Sequence, residues 1–101
     1  MAILHTVNKS PFDKNSLERA IGTAKEGSSV LLLEDGVYGA ISGASSSAMV
    51  EDAMKTVKVY ALGADVDARG IKGRVIDGIE LVDYAAFVKL AAEHSQVQSW
   101  L

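Results

Sequence analysis

Apolar residues occur in this chain as short unbroken runs and as stripes with helical spacing, and the two patterns alternate. Residues 30–33 are all apolar and are followed by Glu34, Asp35 and Gly36, a pattern typical of a strand that is buried on both faces. An apolar stripe at positions 17, 20, 21 and 24 precedes this run, and another at 50, 53, 54 and 57 follows it. Each stripe has the spacing of one helix face. A buried strand between helices predicts an α/β fold on a mostly parallel sheet.

The remaining elements continue this alternation. A helix is predicted to begin at Asn15, because Glu18 follows three residues later, which is the spacing of a capping box. Gly36, Gly39 and Gly43 predict either one smooth face of a short helix or a flexible loop. Strands are predicted at 2–7, 58–62, 75–76 and 79–82, a short helical turn and loop at 64–73, and a small edge strand within 96–101.

The last helix is predicted to follow Asp83, whose carboxylate can cap the first turn. Its buried stripe is predicted at Tyr84, Phe87, Val88 and Ala91. Together the elements predict a small three-layer α/β/α sandwich on a mostly parallel sheet. A length of 101 residues is that of one domain, so we expect residues 1–101 to form a single domain.

The composition restricts the possible functions of the chain more than it restricts the possible folds. The chain has no cysteine, which excludes thiolate nucleophiles, persulfides, disulfides and Cys-ligated metals on this chain. The net charge of −3 argues against a stand-alone nucleic-acid binder, whose affinity depends on neutralising phosphates. No apolar run approaches the length of a membrane helix, and no basic segment with a long apolar run begins the chain. We therefore expect a cytoplasmic protein without membrane contact.

The predicted crevice lies where the first two strands end, because open parallel sheets bind ligands outside the carboxyl ends of their strands. The candidate crevice and partner-binding residues are His5, Asn8, Lys9, Ser10, Glu34, Asp35 and Gly36. Glu34 and Asp35 are adjacent, so on a strand they point to opposite faces and make a poor acid/base pair. We expect one of them to cap the following turn and the other to line the crevice.

No pattern in the chain predicts a catalytic site, a metal site or a cofactor. The glycines at 36, 39 and 43 depart from a dinucleotide-binding fingerprint, and the two acids before them would repel a phosphate. Ser42 falls one position too late for a nucleophile elbow. His5 and His94 are far apart in the sequence, and neither has a second metal ligand at a typical spacing.

Two further features have a structural and a functional interpretation. Arg69, Lys72 and Arg74 predict a solvated loop by default, and a contact with an acidic partner surface as the sharper alternative. Trp100 predicts an aromatic ring that is either packed against the domain or held in a partner. Tyr84 and Trp100 are the candidate partner-interface residues.

Several segments, in one order along nearly the whole chain, resemble the DsrH/TusB family of small sulfur-relay subunits. The opening segment 4–12 reads LHTVNKSPF, and segment 31–37 reads LLLEDGV. Later matches are VYALGADVDARGI at 59–71, LVDYAAFVKL at 81–90 and QSW at 98–100. The resemblance implies a DsrE-like fold, a small α/β sandwich on a mostly parallel sheet.

The family also implies an assembly and a pathway. Its members belong to a cytoplasmic heterohexamer with two copies each of three related subunits, so the expected partners are DsrE/TusD-like and DsrF/TusC-like subunits. The DsrE/TusD-type subunit carries a persulfide on a cysteine and exchanges sulfur with a DsrC/TusE-type carrier. The DsrH side of the family serves oxidation of stored sulfur, and the TusB side serves tRNA 2-thiouridine synthesis.

This chain departs from the family at one position that matters for chemistry. Some DsrH members have a cysteine in the first helix, and Ala20 is the position that matches it. Since alanine has no nucleophile, the resemblance implies a non-catalytic subunit of the sulfurtransferase complex rather than an enzyme on its own. The alternative is a stand-alone small-ligand-binding protein, or a homo-oligomer of the same fold, that uses the crevice at 34–43.

Overall fold

Five parallel strands form one sheet in the computed structural model, which describes residues 2–101. The strands are β1 Ile3–Val7, β2 Ser29–Leu32, β3 Lys58–Leu62, β4 Glu80–Val82 and β5 Gln96–Trp100. The helices are α1 Ser16–Thr23, α2 Ser47–Ala53, α3 Gly63–Ala68 and α4 Tyr84–Glu93, with 3-10 helices at Glu34–Ala40 and Lys72–Arg74. The predicted α/β fold on a parallel sheet is confirmed, including an edge strand at the position expected near Trp100.

The strand order β4-β3-β2-β1-β5 explains where the helices lie. The connections from β1 to β4 all step in one direction across the sheet, whereas the connection from β4 to β5 returns past β1. Crossovers between parallel strands are right-handed, so a reversed step places its helix on the opposite face. Accordingly α1, α2 and α3 pack on one face, here called the first face, and α4 packs on the second face.

The strand predicted to be buried on both faces lies at the centre of the sheet. β2 pairs with β1 on one side and β3 on the other, with His5 opposite Val30 and Leu31 opposite Tyr60. Val30 and Leu32 point into the first-face core, and Leu31 points into the second-face core. An all-apolar strand is therefore required here, because both sets of its side chains leave water.

The two cores differ in extent. The first-face core joins residues of β1, β2 and β3 to Leu17 and Ala20 of α1, Val50 of α2 and Val66 of α3. In the described part of the chain, the second-face core contains five buried residues under the partly buried side of α4, namely Leu4, Leu31, Tyr60, Leu62 and Val82.

Four local predictions were wrong. Residues 75–76 were predicted to form a strand, but Val75 forms only an isolated bridge with Ile41. Tyr84 and Val88 are exposed, and the side of α4 that packs on the sheet carries Ala86, Phe87, Leu90 and Ala91. The helix is apolar on nearly all sides, so the spacing of its apolar residues did not identify the buried side. Asn15 is the N-cap of α1, but its side chain makes no capping hydrogen bond. Asp83 does cap α4, because its carboxylate accepts a hydrogen bond from the Ala86 N–H at 2.8 Å.

The fourth wrong prediction concerns the segment after β2. Neither Glu34 nor Asp35 caps the 3-10 helix, whose N-cap is Leu33 without a side-chain hydrogen bond. Gly43 lies beyond that helix with φ of 74°, so the three glycines do not share one helix face. Gly36 is nevertheless essential to the geometry, because an added Cβ would overlap the carbonyl oxygen of Val7.

Candidate functional site at the switch point of the sheet

The topology places the main crevice of this sheet between β1 and β5. In open α/β sheets, ligands bind outside the carboxyl ends of the strands, at the point where the strand order reverses. Here the order reverses at β1, whose neighbours are β2 and β5. The candidate site is therefore formed by Asn8 and the residues after it, by the end of β5 at Trp100, and by the start of α1.

His5 and Trp100 form the floor of this site on the first face. The Trp100 Nε1–H donates a hydrogen bond to His5 Nδ1 at 3.1 Å, and the two ring centroids are 6.1 Å apart. His5 is 1% exposed and lies within β1 rather than at its end, so the expectation that its ring lines an open crevice at the strand end was wrong. Burial lowers the pKa of His5 from its usual value of 6.5, which keeps the ring neutral and able to accept from the indole.

The first turn of α1 contacts the end of β5 at this site. Ser16 Oγ donates a hydrogen bond to the main-chain oxygen of Leu101 at 3.1 Å. The guanidinium carbon of Arg19 lies 6.0 Å from the centre of the Trp100 ring, within the range of a cation–π contact. Trp100 is consequently partly buried and packed against the first-face core, which agrees with the interpretation of a ring packed against its own domain.

The loop after β1 brings three of the predicted residues to the same place. Asn8 is partly buried, and its buried Oδ1 has no hydrogen-bond partner among residues 2–101. Gly36 lies directly beside Asn8 and the end of β1, as its close approach to the Val7 carbonyl shows. Ser10 is buried and its Oγ accepts from the Phe12 N–H at 3.2 Å, which orders the turn, and Lys9 between them is exposed.

Glu34 and Asp35 belong to a different cluster, towards α3. Arg69 donates to Asp35 Oδ1 from Nε at 3.1 Å and from Nη2 at 2.8 Å, and it also donates to the carbonyl oxygen of Asp65. The hydrogen bond to Asp35 raises the pKa of Arg69 above its usual value. Glu34 has φ of 50°, a conformation that favours glycine, and its N–H donates to Asp65 Oδ2 at 2.7 Å. The predicted site residues therefore form two groups.

The sequence pattern did not identify the partners in either group. Asp65 and Arg69 are four residues apart, a helical spacing that could have predicted their own ion pair. Nothing local predicts that Arg69 also reaches Asp35. Of the cationic loop, Arg69 is engaged in these contacts, while Lys72 and Arg74 are exposed.

The arrangement offers hydrogen-bonding and cationic side chains that can bind and orient a ligand. Ala20 is fully buried in the first-face core, so a side chain at this position points away from solvent. Within residues 2–101, no three His, Cys, Asp or Glu side chains come together as metal ligands do.

An open pocket of about 370 Å³ lies beside the site, between the loop after β1 and the start of α2. It is lined by Phe12, which is 57% exposed, together with Lys14, Glu18, Ser46 and Met49.

Comparison with protein families gives one match over most of the chain. Residues 9–97 match the model of the family described as DsrH like protein. Protein TusB of Enterobacter sp. (strain 638) is 40% identical to this chain over 100 residues, covering 97% of this chain and 100% of that protein. Protein TusB of Escherichia coli O81 (strain ED1a) is 39% identical with the same coverage.

Solved structures show the same fold. The crystal structure of the ychN protein from E. coli superposes with a TM-score of 0.84 at 19% identity and covers 98% of each chain. Protein Tm0979 from Thermotoga maritima, solved by NMR, superposes with a TM-score of 0.64 at 25% identity and covers 91% of this chain and 92% of its own. Among residues 2–101, no helix has the length and apolar character needed to span a membrane.

Proposed function

Because the chain belongs to the DsrH family, we propose that it is a non-catalytic subunit of a heterohexameric sulfurtransferase complex. In this proposal the chain assembles with DsrE/TusD-like and DsrF/TusC-like subunits, with two copies of each. The complex relays persulfide sulfur to or from a DsrC/TusE-type carrier in the cytoplasm. The observation that carries the proposal is the similarity to TusB proteins over nearly the whole length of a chain that has no cysteine.

The relatives favour one of the two pathways that the family resemblance implies. Curated proteins about 40% identical to this chain are named TusB, so we assign the complex to tRNA 2-thiouridine synthesis rather than to sulfur oxidation. A cysteine-free chain cannot hold a sulfane sulfur, since a persulfide needs a thiolate. The sulfur is therefore carried by the partner subunits, and this chain shapes the site where the carrier docks.

The switch-point site supplies the groups for that contact. Lys9 is exposed in the loop after β1, beside Asn8, whose Oδ1 is buried and has no hydrogen-bond partner among residues 2–101. An ammonium group favours a nearby negative charge, so Lys9 stabilises a persulfide or an acidic carrier that approaches the carboxyl ends of the strands. Asp35 is engaged with Arg69 and has the role of fixing the neighbouring loop.

Assembly is tested by co-expressing the chain with its two sister subunits and weighing the products by native mass spectrometry. We expect a 2:2:2 particle that contains this chain. A stable monomer or homo-oligomer that binds neither sister subunit contradicts the subunit role. That result would favour the alternative, a small-ligand-binding protein of the same fold, and ligand screening would start at the pocket beside Phe12.

The pathway is tested in cells that lack TusB, by measuring 2-thiouridine in tRNA. We expect this chain to restore the modification, and Lys9→Ala to reduce it while the complex still assembles. Lys25→Ala is the matched control, because Lys25 is also an exposed lysine but lies between α1 and β2, outside the loop that follows β1. Equal activity of the two variants would remove the role given to Lys9.

A further inference from the structure

The pocket beside Phe12 lies between two segments of the chain, 11–18 and 45–49. The first segment contains the end of the loop after β1 and the first turn of α1, and the second leads into α2. The pocket has a volume of about 370 Å³, which is within the range of pockets that hold small ligands. Its walls combine apolar, hydrogen-bonding and charged groups, and these groups together indicate what it binds.

Ser46 lines this pocket and has a hydroxyl group that the domain itself does not use. The residue is 9% exposed, and its Oγ has no hydrogen-bond partner among residues 2–101. Ser46 is the N-cap residue of α2, but its side chain makes no capping hydrogen bond. Burial of a hydroxyl group without a partner is unfavourable. A ligand in the pocket that accepts a hydrogen bond from Ser46 would remove this cost.

The amino end of α1 borders the same pocket and offers further donors. Asn15, its N-cap residue, and Glu18, in its first turn, both line the pocket. The Asn15 side chain makes no capping hydrogen bond, so it does not satisfy the first N–H groups of the helix. Such N–H groups, together with the helix dipole, favour a carboxylate or a phosphate. Lys14, which also lines the pocket, adds a positive charge beside them.

The charges around the pocket have mixed signs. Asp13 and Glu18 contribute two carboxylates against the one ammonium group of Lys14, and all three side chains are exposed. A simple anion would be attracted by the helix end but repelled by the two acids. A simple cation would be attracted by the acids but repelled by Lys14 and the helix end. A ligand that carries both charges close together satisfies both sets of groups.

The remaining wall of the pocket is apolar. Phe12 is 57% exposed, and the partly buried Met49 lies on the α2 side of the pocket. An aromatic ring and a thioether favour contact with an aliphatic or aromatic group of the ligand. The ligand therefore has an apolar body as well as two opposite charges.

We propose that this pocket binds a free α-amino acid with an apolar side chain. The α-carboxylate accepts hydrogen bonds from the amino end of α1 and from Ser46, and the α-ammonium group is held by Asp13 and Glu18. The apolar side chain of the ligand lies against Phe12 and Met49. A chain within a peptide does not meet this description, because only a free amino acid has both charged groups on one carbon atom. The inference concerns the chain itself and does not depend on the sister subunits of the proposed complex.

The test is isothermal titration calorimetry of the full chain with L-phenylalanine and with L-leucine. We expect saturable binding of both. The matched control ligands are 3-phenylpropionate, which lacks the ammonium group, and 2-phenylethylamine, which lacks the carboxylate. Each should bind about tenfold more weakly than L-phenylalanine or worse, because each leaves one set of charged or polar groups in the pocket without a partner.

Two variants locate the site. Ser46→Ala should weaken L-phenylalanine binding by about fivefold or more without lowering the urea midpoint of unfolding, because Oγ makes no hydrogen bond within residues 2–101. Glu18→Gln should also weaken L-phenylalanine but should bind 3-phenylpropionate at least as tightly as the wild type, because it removes a charge that repels a carboxylate. Glu26→Gln is the control, since Glu26 is an exposed glutamate between α1 and β2, outside the pocket.

Three outcomes would overturn the proposal. The first is a wild-type chain that binds neither amino acid. The second is equal affinity for L-phenylalanine and one of its two analogues, which would make the pocket a simple anion or cation site. The third is amino-acid binding that both Ser46→Ala and Glu18→Gln leave unchanged, which would place the ligand elsewhere. Far-UV circular dichroism of each variant reports whether it has folded.

Discussion

The two faces of the sheet are formed by the same strands but differ in the helices that cover them and in the number of buried residues. Among residues 2–101, the first face is covered by α1, α2 and α3, and its core contains sixteen buried residues. The second face has five buried residues in its core and α4 as its helix. The difference follows from topology, because three crossovers step one way across the sheet and one steps back. The first face thus contains most of the buried core, and the outer side of α4 on the second face is exposed.

The tightest contact on the first face gives the largest expected effect. Gly36→Ala places a methyl group against the Val7 carbonyl oxygen, and two backbone segments must separate to admit it. We expect a loss of more than about 4 kcal/mol in the free energy of unfolding, measured by urea denaturation. Gly22→Ala is the matched control, because Gly22 lies in α1 with open space around it. There alanine should add about 0.5–1 kcal/mol, and equal effects at the two glycines would contradict the close packing at Gly36.

A direct comparison of the faces comes from shortening one side chain on each. Leu17 of α1 is buried in the first-face core, so Leu17→Ala should cost about 3 kcal/mol through lost burial and an unfilled cavity. Val88→Ala on α4 removes an exposed side chain and should change the stability of the monomer by less than about 0.5 kcal/mol. Both values are read from denaturation in dilute solution. A large cost at Val88 would show that the second face is closed within the monomer.

The sequence predicted the elements of this fold well where a residue's environment is set by its neighbours in the chain. The unbroken apolar run of β2 required burial on both faces, and Asp83 has the side chain that a helix start needs. The outer face of α4 was predicted wrongly because the helix is apolar nearly all round, and periodicity needs polar residues to define an exposed side. Only the packing of Phe87 and Leu90 on the sheet identifies the buried side.

The candidate site was harder to predict because its contacts join distant parts of the chain. His5 and Trp100 are 95 residues apart, and no local pattern connects a strand histidine to an edge-strand tryptophan. Arg69 could be paired with Asp65 from helical spacing, but its bond to Asp35 depends on the positions of β2 and α3 in the sheet. Strand order determines both contacts, and strand order is not readable from the spacing of apolar residues.

The buried histidine on the first face makes stability depend on pH. Well above pH 6.5, His5 is neutral in both the folded and the unfolded chain, because 6.5 is the ordinary pKa of histidine. Because burial lowers its pKa in the folded state, the unfolded chain binds the proton first as the pH falls below 6.5. Stability should then decrease, by at most about 1.4 kcal/mol per pH unit for one proton.

Two variants separate the causes of this pH dependence. His5→Gln keeps an acceptor for the Trp100 indole but does not titrate, so its unfolding free energy should change less between pH 7 and pH 5.5 than that of the wild type. Trp100→Phe removes the hydrogen bond while keeping an aromatic ring over His5, so it should cost about 1 kcal/mol and retain the slope. The same slope in His5→Gln would assign the acid sensitivity to other groups.

The smallest effect is expected at the carboxyl ends of β2 and β3, where Arg69 joins Asp35 beside the first-face core. Asp35 is exposed and Arg69 is partly buried, so water screens their attraction and the pair should contribute about 0.5–1 kcal/mol. A double-mutant cycle with Asp35→Asn and Arg69→Gln measures this coupling, and Lys72→Gln is the control for a loop cation outside the ion pair. Raising the salt concentration should reduce the coupling further. A coupling above about 2 kcal/mol would mean that the cluster around Glu34 and Asp65 acts as one unit that holds α3 on the sheet, and the first face would then depend on its rim as well as on its core.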